Sequence, residues 1–154
     1  MKGNARIVES LNELLTLELT AVNQYFVHSK MCENWGFTKL AAKFREDSMA
    51  EMKDAEDLIE RVLLLEGVPN VQRLGSVVIG ENVPEQLQLA AETERSALKL
   101  LQDIIAACEE EDDDNTRVFL EPSLREEESH LDWLETQIEL IRQVGEQNYL
   151  AQQI

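Results

Sequence analysis

A chain of 154 residues, 44% hydrophobic and 29% charged, is long enough for one domain with a sizeable core and too apolar to be disordered. Its formal net charge of -17 argues against nucleic acid or an anionic membrane surface as a partner, and is compatible with collecting cations. Gly and Pro are scarce, at 6 and 3, while the helix formers Leu, Glu, Ala and Gln dominate, so the expected fold class is all-α. The two cysteines, Cys32 and Cys108, have no paired spacing, which argues against a disulfide framework or a thiolate zinc site. Met1 to Asn4 open the chain without the apolar run of a signal peptide, and no stretch approaches transmembrane length; the expected location is the cytoplasm, with no membrane partner.

The first predicted helix covers about 6–35. Leu11, Leu15, Glu18, Val22, Tyr25 and Ser29 follow the helical repeat, and Gly36 is placed to stop it. Leu14, Leu17, Leu19, Ala21 and Phe26 lie off that stripe, a second apolar face that is expected to pack on another subunit. The second helix covers about 38–65, with core register Leu40, Phe44, Asp47, Glu51, Asp54, Leu58, Val62 and Leu65, and a second stripe of Met49, Met52, Ile59 and Leu63. Gly67, Pro69, Gly75, Gly80 and Pro84 then break the pattern, and Val77 to Ile79 could form a short extended piece. A helix of about 28 residues is roughly 42 Å long, and a connector of about 19 residues can span roughly 60 Å. The connector can therefore run the length of a bundle and leave the second and third helices parallel.

The third helix covers about 84–111, with Pro84 in its first turn and a stripe of Leu87, Ala91, Glu94, Leu98, Leu101, Ile105 and Cys108. The acidic run Glu109 to Asp114 reads as a solvated turn that ends the helix, with a cation-attracting patch as the alternative. The fourth helix covers about 115–144. Pro122 falls in its second turn or marks its start, and Gly145 ends it. Residues 146–153 form a short amphipathic fifth helix. His28 falls off the core stripe and is expected at an interface or on the surface.

Each of the four long helices places a glutamate at the middle of its apolar stripe: Glu18, Glu51, Glu94 and Glu127. Their mutual repulsion in a low-dielectric core would be large, and a cation cluster removes it. Glu127 and His130 lie three residues apart, about one turn, so both reach one helix face. A Glu on each of two helices with a Glu-x-x-His on each of the others is the dinuclear carboxylate pattern of helical bundles, suited to iron or manganese and tolerant of zinc. Here the second helix carries Glu51-Met52-Lys53-Asp54, an acid where the pattern has an imidazole.

The chain resembles the bacterioferritins, the haem-containing branch of the ferritins, from Met1-Lys2-Gly3 to Asn148-Tyr149-Leu150. The stretches that carry the resemblance are Asn23-Gln24-Tyr25-Phe26, Asn34-Trp35-Gly36, Glu51-Met52-Lys53, Ile59-Glu60-Arg61, Leu65-Glu66-Gly67 and His130-Leu131-Asp132-Trp133-Leu134-Glu135. The resemblance implies a single ferritin-like domain over 1–154: a four-helix bundle with one long crossover and a short fifth helix. It implies a 24-subunit shell that stores ferric mineral and oxidises Fe(II) at an intrasubunit di-iron site.

By the same resemblance Glu18 and Glu94 are terminal ligands, Glu51 and Glu127 bridge the irons, and His130 ligates one of them. The family's other histidine falls at Asp54, whose shorter, charged side chain leaves open direct ligation, ligation through water, or a weakly held second iron. Tyr25, two turns from Glu18, would sit beside the site as an electron donor, as a core tyrosine bonded to a buried carboxylate, or as both. Met52 points about 100° away from Glu51. The resemblance makes it a ligand to haem b shared by two-fold-related subunits, and ordinary interface packing is the alternative. Asn34, Glu66, Asp132 and Thr136 match positions that line a pore in family shells.

Two functions follow. The first is an active ferroxidase and iron store, served by a small ferredoxin acting through the haem. The second is a haem-carrying structural subunit with an impaired di-iron site, co-assembled with a second bacterioferritin subunit that oxidises iron. A cage-free di-iron peroxidase or oxygenase is disfavoured by the second apolar stripes and by Met52.

Overall fold

Three of the five helices start at a side-chain cap. The computed structural model describes residues 1–154, and its five helices are α1 (Ala5–Trp35), α2 (Thr38–Leu64), α3 (Val83–Glu110), α4 (Asp114–Val144) and α5 (Glu146–Ala151). Asn4 caps α1 through its side-chain oxygen, which accepts the N–H groups of Arg6 and Ile7. Gly36 ends α1 at φ +91°, a left-handed conformation open to glycine at no steric cost, and the cap returns to Cys32 and Glu33 carbonyls. Asn82 caps α3 and Asp113 caps α4 in the same way as Asn4.

Two antiparallel hairpins, α1/α2 and α3/α4, dock through α1 and α3, and α5 packs on α4. Gly3 N–H bonds Leu65 O at 2.9 Å, joining the start of α1 to the end of α2. Tyr25 meets Ala90 and Glu94, and Arg6 meets Glu110, so α1 and α3 are antiparallel and α2 runs parallel to α3. This is the ferritin-like four-helix bundle with one long crossover and a short C-terminal helix.

The crossover lies along α1 and is held by a polar row spaced one turn apart. Asn12 bonds Val68 and Asn70, Thr16 accepts Arg73, Thr20 accepts Gly75 N–H at 2.9 Å, Gln24 donates to Val78 O at 2.9 Å, and His28 Nε2 accepts Gly80 N–H at 3.0 Å. Residues 77–79 form no strand.

Three expectations are corrected. His28 is fully buried in the single chain, under Gly80 and edge-on to Phe44. Pro122 lies inside α4, in its third turn, and the helix continues through it. Leu14 and Ala21 belong to the chain's own core rather than to a separate face, while Phe26, Met49, Met52 and Leu63 stay exposed. The helical repeat locates faces of α1 but not the irregular crossover that covers one of them.

The apolar core is split in two. One half is built on Leu11, Leu15, Leu58, Leu101 and Leu120, the other on Ala21, Phe44, Ala91 and Leu134. Glu18, Glu51, Glu94 and Glu127 occupy the layer between the halves.

Candidate metal centre

All four carboxylates of that layer are buried, at 2%, 5%, 1% and 4% exposure in chain order. The structure brings the donors into two overlapping sets. Glu51, Glu94 and His130 offer ligand atoms all within 4.8 Å of one another, and so do Glu18, Glu51, Asp54 and Glu127. Glu51 belongs to both. Asp54 therefore stands inside the second set, where the Glu-x-x-His pattern would put an imidazole.

Burial and neighbouring charges shift the acids of this layer in different directions. Burial, reinforced by the neighbouring carboxylate of Glu94, pushes the Glu127 carboxyl up to about 12, which favours its protonated form. Burial also lifts Glu18 well above the carboxylate range, with Asp54 and Glu94 adding to it. For Glu94, burial works upward but is outweighed by hydrogen bonds from Glu127, His130 and Tyr25, and the group lies below its ordinary value. The Tyr25 hydroxyl donates to Glu94 Oε1, and burial raises its own pKa well above the phenol range. Asp54 is raised to about 6 by burial and by the charges of Glu126, Asp57 and Glu94.

His130 bridges the layer and α2. Its Nδ1 is 3.0 Å from Glu94 Oε1 and its Nε2 is 2.9 Å from Asp47 Oδ2. Asp47 Oδ2 and His130 Nε2 are close enough for an ion pair without being aligned as a hydrogen bond. Burial alone would lower the imidazolium, but Asp47 and Glu94 outweigh it and hold the ring at about 9. Asp47, only 7% exposed, was legible as a core-register position of α2 but carries no role in the Glu-x-x-His pattern; its carboxylate in an apolar register was the available signal.

One oxygen on each of Glu18, Glu94 and Glu127 is buried without a hydrogen-bond partner. Unsatisfied buried carboxylate oxygens are costly, and hard divalent cations satisfy them. Five carboxylates and one imidazole, with orphaned oxygens turned into one layer, fit two such cations. A cavity of about 250 Å³, lined by Glu18, Asp54, Leu58, Leu101, Leu120 and Pro122, reaches the layer from one side. A groove between α2 and α4 reaches it from the other, past Asp47, Glu51, Asp54 and His130.

Met52 lies away from this layer, 47% exposed on the outer face of α2 beside the equally exposed Met49. Asn34, Glu66, Asp132 and Thr136 are all exposed. No helix is long and apolar enough to cross a membrane.

A family model described as a ferritin-like domain matches residues 8–144. The chain is 48% identical over 152 residues to a bacterioferritin of Mycobacterium tuberculosis, covering 99% of this chain and 96% of the relative. It is 44% identical over 151 residues to a bacterioferritin of Streptomyces coelicolor, covering 98% and 90%. A bacterioferritin of Brucella melitensis is 40% identical over 149 residues, covering 97% and 92%.

Proposed function

The chain belongs to the bacterioferritin family of iron-storage proteins, and from that membership we propose that it is a ferroxidase subunit of a 24-subunit shell, oxidising Fe(II) within each subunit and storing the ferric product. The observation that carries this reading is the pair of ligand sets sharing Glu51. Fe(II) is the substrate; each ion gives up one electron, and two such electrons reduce one peroxide to water or one dioxygen to peroxide.

The protein's part is to place two cations side by side in a desolvated layer and to manage protons. Glu51, common to both sets, is the bridge. Glu127 belongs to the Glu18 set and touches Glu94 of the other, so it spans both once its proton leaves. Glu18 and Glu94 are the outer ligands, with Asp54 completing one side and His130 the other. Tyr25 holds Glu94 from α1 and is the nearest oxidisable side chain that the hydrogen-bond network supplies.

On the outer face of α2, the exposed thioether of Met52, one turn from the exposed Met49, would hold haem b at a contact between two copies. Haem bound there would carry electrons inward from a small ferredoxin. A cytoplasmic location goes with this function.

Stopped-flow absorbance after Fe(II) addition tests the reading. A fast phase saturating at about two Fe(II) per chain is expected, and Glu51→Ala should abolish it because both sets lose a ligand. A wild-type signal no faster than buffer autoxidation would discard it. The second reading would then stand: a haem-carrying subunit co-assembled with a ferroxidase-competent sister. The observation that favours it is Asp54, which leaves His130 as the single imidazole in the layer.

A further inference from the structure

On the reading that His130 is an iron ligand, we infer that Asp47, tethered by Lys43, is the positioning residue that aims its ring. The imidazole has two nitrogens, and the structure gives each a different neighbour. Nδ1 faces the carboxylate layer at 3.0 Å from Glu94, and Nε2 faces Asp47 at 2.9 Å. A carboxylate on the far nitrogen of a ligating histidine fixes its tautomer and orientation. Asp47 itself is in neither ligand set.

Asp47 is held in turn. Its other oxygen, Oδ1, takes Lys43 Nζ at 2.9 Å, one turn back on α2. Lys43 Nζ lies 4.9 Å from the ring centroid of Trp133, one turn beyond His130 on α4. Lys43, Asp47, His130 and Trp133 thus form a four-residue bridge between two helices. It matters because α2 and α4 barely approach each other along their backbones, and an open groove runs between them beside His130. Tyr25 meets the ring edge-on from α1, with centroids 5.9 Å apart. Asp47 meets it from α2, on the side of the groove.

Anaerobic Co(II) titration of the metal-free full-length protein, followed by d–d absorbance, tests this without turnover. Asp47→Ala is expected to weaken one of two Co(II) positions by about 10- to 100-fold and spare the other, with Asp47→Asn, which keeps an acceptor oxygen, falling between. Both positions unchanged would overturn the inference. So would both weakened equally with a lowered melting temperature, since that outcome describes a structural residue. Lys43→Met, at the rim of the groove, keeps the test alive if Asp47→Ala fails to fold: the same position should weaken by a smaller factor, and no change overturns the tether. His130→Ala separates the premise from the inference. If it leaves both affinities intact, His130 is not a ligand and the failure lies in the functional reading itself; if it removes one position while Asp47→Ala removes none, only the positioning role fails.

Discussion

At Asp54 one residue exchanges an imidazole for a carboxylate inside a layer that already holds four. The cost shows in its pKa, raised to about 6 chiefly by burial and then by Glu126, Asp57 and Glu94. Two bound cations would remove that repulsion, and on the proposed ligand sets one of them would be held by oxygens alone. Asp54→His should accelerate the fast phase of Fe(II) oxidation by about tenfold or more, and an unchanged rate would place any defect elsewhere. The proton inventory gives a second outcome. Glu127 is pushed up to about 12 and His130 up to about 9, so each would shed a proton to ligate, and Glu18 is shifted in the same direction as Glu127. Loading the metal-free protein with Zn(II) at pH 7 should release about two protons per chain or more, measured with an indicator dye, and fewer as the pH approaches 9 and His130 titrates by itself. Release that does not fall between pH 7 and 9 would contradict the His130 assignment. Much of this layer was legible in the sequence, because a carboxylate in the middle of an apolar repeat is conspicuous whatever its partner. The role of Asp47 was not, since the repeat shows which face a side chain occupies and says nothing of which nitrogen it meets across a groove.

The crossover shows the same limit among elements. Its length was readable from the distance between helical patterns, and that length allowed α2 and α3 to run parallel. Its path was not, because it has no periodicity and its anchors lie on α1. Asn12, Thr16, Thr20, Gln24 and His28 recur every four residues and look like an ordinary polar stripe until residues 68–80 are laid upon them. Of the five, His28 is the sensitive one. Burial lowers its pKa from 6.5 to about 4, and its neutral Nε2 accepts the Gly80 N–H. A histidine whose folded pKa is depressed gives stability that is whole above 6.5 and declines as pH falls toward 4, because the unfolded chain takes the proton first. The slope is at most about 1.4 kcal/mol per pH unit across that window. His28→Gln should flatten that part of the melting-temperature profile in metal-free protein while lowering it at neutral pH. An identical acid slope in the variant would show that the carboxylate layer, not the crossover anchor, governs acid sensitivity.

For the molecule as a whole, the decisive surface is the outer face of the α1/α2 hairpin. Met49 and Met52, one turn apart and each 47% exposed, and Phe26 at 40% leave large apolar side chains in water on a chain whose net charge is -17. Apolar exposure of this kind is what a contact between chains covers. Two copies related by a two-fold axis would meet at the same residues, which brings Met52 to Met52 when the axis passes near it. Charge opposes any larger assembly, since every subunit adds the same sign; apolar burial at this face must outweigh that repulsion, and salt assists by screening it. Light scattering coupled to size exclusion should therefore give a mass near 24 chains at about 0.15 M salt, shifting toward dimers as salt is withdrawn. Reconstitution should load one haem per two chains. Met52→Leu should abolish haem absorbance and leave the assembled mass unchanged, because leucine keeps the apolar contact and removes the sulfur. A monomer at every salt concentration would sink the shell, and full haem loading in Met52→Leu would move the ligand to another residue.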